Sequence, residues 1–120
     1  MIPRLTTPAV QTAGFFLGLF IILLATLTPA DMLPPAPGTD KTHHILGFGG
    51  WALLCAFGPM KRFLLLCFII ILIGGAIELI QPYVNRYADW LDFYANACGV
   101  LLAILVRLII QKFIKSKDKL

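Results

Sequence analysis

The chain has 120 residues, 59% of them hydrophobic and only 13% charged, with a formal net charge of +4. A soluble domain keeps roughly a quarter of its residues charged, so this balance argues against a water-soluble globule and for a membrane protein. The size allows one domain, 1–120, with no separate soluble module, and the positive balance points to no nucleic-acid partner.

Four apolar spans follow in chain order, each near the roughly 20 residues that cross ~30 Å of hydrocarbon. The first, about 9–28, has Arg4 ahead of it and Thr28-Pro29-Ala30 behind it. Its length and the lack of an A-x-A site favour a retained transmembrane helix over a signal peptide. Gly14 and Gly18 in it form a small-xxx-small pair, expected to serve packing within the chain rather than dimerisation. Pro34-Pro35-Ala36-Pro37-Gly38 is expected to run extended.

The second span, about 44–58, is short for a bilayer. Its helix opens with Lys-Thr-His-His behind a cap at Thr39 or Asp40, and Gly47, Gly49 and Gly50 leave room for a close neighbour. The third, about 63–80, should end near Gln81, because Pro82 lacks an amide hydrogen and disfavours helical angles in the residue before it. The fourth, about 90–110, starts near Asp89 or Trp90, with acids suited to the positive end of the helix dipole. Tyr83, Tyr87 and Trp90 suit a membrane interface. Cys55, Cys67 and Cys98 fall in three different spans and read as free, apolar-like thiols.

Charge sets the expected orientation. Arg4, Lys61, Arg62, Arg107, Lys112, Lys115, Lys117 and Lys119 lie at one set of helix ends, and only Lys41 and Arg86 at the other. Eight against two is a positive-inside signal that puts both termini in the cytoplasm. The expected architecture is therefore an all-α, four-helix transmembrane bundle in the bacterial cytoplasmic membrane. Its basic tail would meet anionic lipid headgroups.

Against that background the polar residues of the outer half stand out. At 1.5 Å per residue, His44 lies roughly 25 Å from Lys61, Glu78 roughly 24 Å from Arg62, and Asp92 roughly 22 Å from Arg107. The three therefore share a layer. Asp40 with His44, Glu78 with Gln81, and Asp92 with Asn96 are spaced three or four apart, so each pair shares a helix face. The simplest arrangement points these faces inward, with His44, Glu78, Arg86, Asp92 and Asn96 meeting between the second, third and fourth helices. Ion pairs Arg86–Asp92 or Lys41–Glu78 that merely tie loops to helix ends are the structural alternative. Asp31, Asp89 and His43 read as solvated interface groups.

The segment Pro34-Pro35-x-Pro-Gly-Thr-Asp40-Lys41-x-x-His44-x-x-Gly-Phe48-Gly49 resembles the first signature of the VanZ-like membrane proteins. Ile77-Glu78-Leu79-Ile80-Gln81, then Arg86, Asp92, Asn96 and Gly99, are similar to its later motifs. The family takes its name from a bacterial protein associated with low-level resistance to teicoplanin. The resemblance implies that Asp40, Lys41, His44, Glu78, Gln81, Arg86, Asp92 and Asn96 are the motif positions. Asp89 stands where the family often has a small polar residue.

The chemistry expected of such a site is binding or modification of an envelope molecule, such as a lipid-linked or cell-wall precursor. Partly desolvated Glu78 is suited to donate a proton, and Asp92 to act as base or to orient His44. Lys41 and Arg86 are suited to hold a phosphate or carboxylate, with Asp40, Gln81 and Asn96 as further binding groups. No cofactor and no metal site is expected, a divalent ion on His44, Glu78 and Asp92 being the minor alternative. A non-catalytic module for a lipid, glycopeptide or partner protein is the second reading, and a transporter or proton relay, which would need a homo-oligomer, the third.

Overall fold

A computed structural model describes residues 7–34 and 38–118, the last three by backbone alone. Arg4, the Pro35-Ala36-Pro37 stretch and Lys119 lie outside the described residues, as does the side chain of Lys117. Among the described residues the chain is all-helical, with four α-helices and no strand: α1 (Pro8–Leu27), α2 (Asp40–Leu54), α3 (Met60–Ile80) and α4 (Trp90–Asp118).

The helix ends follow local chemistry. Thr7 caps α1 by accepting from the Val10 amide, with Pro8 in the first turn, where a missing amide hydrogen costs nothing. Thr39 caps α2 in the same way through the Thr42 amide at 3.2 Å. α3 stops at Ile80 and passes into a 3-10 turn, Gln81–Val84, that contains Pro82. Asn85 then takes a left-handed conformation, φ 58°, that reverses the chain.

Two boundaries depart from the apolar spans. α2 runs over Asp40–Leu54 rather than 44–58, because its cap recruits a polar first turn and its last amides tighten onto Ala52 and Leu53. α4 continues through the basic tail to Asp118, since no glycine or proline follows Gly99 to stop it. Three helical stretches, Pro8–Leu27, Met60–Val84 and Trp90–Lys115, are long and apolar enough to cross a membrane. With 15 residues α2 is not, at about 22 Å by helical rise.

α2 instead packs between α1 and α4, with its aromatic residues Phe48 and Trp51 in the core beside Phe63, Ile70, Ile77 and Val100. Small residues make that packing close. A Cβ on Gly99 would stand 2.3 Å from the Ile45 carbonyl oxygen and 2.9 Å from the Gly49 nitrogen. The Gly14 and Gly18 pair of α1 faces Leu54 and Trp51 of α2, within the chain. The outward faces of α1, α3 and α4 carry exposed Phe16, Phe20, Leu65, Phe68, Leu101 and Leu105. Such a continuous apolar surface suits lipid and not water.

The basic ends meet at one pole. Arg62 donates to the Pro8 carbonyl at 2.8 Å and to Thr12 Oγ1 at 2.7 Å. Gln11 donates to the Pro59 carbonyl, and Arg107 to the carbonyls of Ala56 and Gly58. The polar layer lies at the opposite pole.

Candidate functional site

The site begins with Asp92, only 2% exposed although it sits in the first turn of α4. Its Oδ1 accepts from Lys41 Nζ, and the same ammonium reaches Asp89 Oδ2 at 3.1 Å. One helical turn along α4, Asn96 Oδ1 lies 2.7 Å from His44 Nδ1. The other ring nitrogen, Nε2, stands 3.5 Å from Asp92 Oδ2 and 3.7 Å from Asp40 Oδ2. Phe48 lies parallel to the imidazole, 6.4 Å between ring centres, one turn down α2.

Glu78, 3% exposed, joins this group through the loop: its Oε2 accepts from the Asp89 amide at 3.2 Å. Glu78 Oε1, Gln81 Oε1 and Asn96 Nδ2 are buried without any hydrogen-bond partner. Buried polar atoms nearly always find partners, so three orphans in one layer mark a place where water or a ligand belongs.

Asp89 is more than a solvated interface group. It accepts from the Leu91 amide at 2.9 Å at the start of α4 and pairs with Lys41. The amide bond and then the ammonium hold its carboxyl below the usual carboxylate range. Lys41 therefore bridges Asp89 and Asp92, and among the described residues neither Lys41 with Glu78 nor Arg86 with Asp92 lies within ion-pair distance.

Arg86 departs furthest from expectation. It donates to the carbonyls of Ala25 at 2.7 Å and Thr28 at 3.0 Å, at the end of α1. The cause is Pro29. A helical carbonyl at 25 accepts from the amide of residue 29, and proline has none. The next carbonyl, Thr26, is served by Gln81 Nε2 at 3.1 Å, because the Ala30 amide turns to Asn85. Gln81 and Arg86 thus cap α1 from across the fold. A proline four residues after Ala25 was the sequence signal for it. Replacing Arg86 by alanine strands both carbonyls, and is expected to lower stability by about 1.5–3 kcal/mol, a charged hydrogen bond's typical worth. Lysine should restore only part of this, since it lacks the planar fork; thermal melts of the purified protein measure both.

A cavity of about 440 Å³ opens beside the layer. Ile22, Leu33 and Phe48 form apolar wall, while Asp40, His44 and Arg86 stand on its polar side. It lies between α1 and α2, not among α2, α3 and α4 as the shared helix faces suggested. His43 also lines it. Glycine at position 47 helps leave this space open, and no periodicity announces it. Asp31 is exposed, within 3.5 Å of Asn85 Nδ2.

No protein-family model, curated protein or solved structure matches the chain. Its class rests on its own features: an all-helical protein with three membrane-length helices, a short fourth one packed among them, and a buried layer of polar groups at one end.

Proposed function

We propose that the protein is a VanZ-like multi-pass protein of the bacterial cytoplasmic membrane that binds an amphipathic, anionic envelope molecule from the outer leaflet. In this reading all four helices lie in the bilayer, α2 reaching part-way in the shelter of α1 and α4. Both termini are cytoplasmic, and the polar layer faces outward. Support comes from the charge split between the helix ends and from the VanZ-like motif positions, most of which fall in the polar layer.

One observation carries the choice of ligand. Arg86 lines an apolar-walled cavity, and among the described residues no carboxylate lies within ion-pair distance of it. Its two bonds go to neutral carbonyls, so its charge remains available. An anionic headgroup at Arg86 with its hydrocarbon along Ile22, Leu33 and Phe48 satisfies both surfaces. A lipid-linked cell-wall precursor has that chemistry.

The test uses the full chain in lipid nanodiscs with undecaprenyl-phosphate-linked precursors. Saturable binding is expected, and Ala25→Trp, which fills the cavity, should remove it. Absence of saturable binding rejects the proposal. Product formation would make the protein an enzyme, and binding without turnover a binding module.

The orientation is tested separately. In a Cys98→Ala background, cysteines at Tyr83 and Tyr87, both highly exposed, should react with an impermeant thiol reagent in intact cells. Cysteines at Lys61 and Lys112 should react only after lysis. The reverse pattern places the layer inside and removes the envelope ligand.

A further inference from the structure

The geometry points to a divalent transition-metal site at Asp40, His44 and Asp92, at the polar end of the cavity. One ligand atom from each residue lies within 4.8 Å of the other two. The three come from two helices: Asp40 and His44 share a face of α2, and Asp92 meets them from α4.

The imidazole supplies the decisive detail. His44 is 6% exposed, and its Nδ1 is taken up by Asn96 Oδ1. With Nδ1–H donating to that oxygen, the neutral ring aims the Nε2 lone pair at two carboxylate oxygens, Asp92 Oδ2 and Asp40 Oδ2. Three electron-rich atoms facing one another, two of them on buried residues, need a cation at their centre. A proton on Nε2 is one candidate, but a charge-assisted hydrogen bond spans about 2.7–2.9 Å. The observed 3.5 and 3.7 Å exceed that. Zinc bonds of about 2.0–2.2 Å at tetrahedral angles hold ligand atoms about 3.4 Å apart, near what is found. A metal-binding histidine usually donates its far N–H to a carboxylate, a backbone carbonyl or water, and the Asn96 side-chain oxygen stands in that place.

Charge agrees. Lys41 occupies Oδ1 of Asp92 and leaves Oδ2 for the ion. Asp40, Asp89 and Asp92 against Lys41 leave two negative charges, and Glu78 in the same layer adds to the excess, so a divalent cation is favoured there. The imidazole ligand selects zinc-like ions over magnesium, calcium or manganese. Asp40 is 60% exposed, so it can close on an arriving ion, and the ion's remaining positions would face the cavity that Asp40 and His44 line. Glu78, which the minor alternative of the sequence reading grouped with His44 and Asp92, is instead tied to the Asp89 amide. The site does not depend on what fills the cavity.

The experiment takes the full chain in phosphatidylcholine nanodiscs, strips it with chelator and titrates it with zinc chloride. One zinc per chain is expected, with a rise in melting temperature. X-ray absorption should show nitrogen and oxygen ligands only. Asp40→Asn, whose exposed position keeps the fold safe, should weaken binding by about tenfold or more, as should His44→Gln. Asp31→Asn and Cys98→Ala should bind as the parent does. No bound zinc after desalting, a sulfur ligand, or unchanged affinity in Asp40→Asn would each overturn the site. The last result would place the ion elsewhere.

Discussion

Valine at position 99 is expected to be among the most damaging single substitutions in the fold. The Cβ alone would meet the Ile45 carbonyl oxygen at 2.3 Å and the Gly49 nitrogen at 2.9 Å. Both are helix backbone, so no side-chain rotation relieves the clash, and α2 and α4 must separate. Overpacking of a core typically costs about 1–3 kcal/mol, and a backbone clash belongs at or above the top of that range. The same separation pulls His44 from Asn96 and Lys41 from Asp92, since each pair spans α2 and α4. Gly99→Val should therefore lose ligand binding together with folded yield, while Gly50→Ala, which meets nothing within 4 Å, should keep both. A Gly99→Val protein that melts like its parent would show that the two helices are not held this closely.

The second large effect separates site from scaffold. Asp92→Asn and Glu78→Gln keep shape and one of the two acceptor oxygens while removing charge. Lys41 keeps Asp89 as partner after Asp92→Asn, so little stability should be lost. Lys41→Met is the harsher change, because it strands the buried Asp92 carboxylate without its ammonium, and removing one partner of a buried pair is strongly destabilising. The expected order of melting temperatures is parent, then Asp92→Asn, then Lys41→Met. Lipid binding at Arg86 should persist in both, because neither acid lines the cavity, whereas zinc binding should fall about tenfold or more in Asp92→Asn. Asp31→Asn should keep both. If zinc binding falls only in step with melting temperature across the set, the polar layer is a brace.

Much of this could be read from residue order, and the rest had identifiable reasons to stay hidden. Helix ends were legible wherever a single residue dictates them: Thr39 and Pro82. Hydropathy misplaced α2 because its first turn is polar, and only the cap shows that Asp40 and Lys41 are helical. Helical rise puts His44, Glu78 and Asp92 at one height, and bonds through Lys41 and the Asp89 amide link their neighbourhoods. Which acid pairs with which base depends on helix rotation and loop path, so Arg86 went to α1 and Asp89 entered the layer. The cavity depends on the separation of α1 and α2, a distance no linear pattern encodes.

The capping of α1 has a consequence for how the protein is made. Its N-terminal half is secured by Arg62 and by Trp51, which donates to the Phe15 carbonyl, and its last turn by Gln81 and Arg86. All four donors are synthesised after α1. When the ribosome has finished residue 27, the carbonyls of Ala25 and Thr26 still await partners encoded more than 50 residues downstream. Unpaired carbonyls are costly in hydrocarbon. The nascent helix therefore has reason to keep that end at the water interface until the loop after α3 emerges, so that α1 docks late although it is translated first.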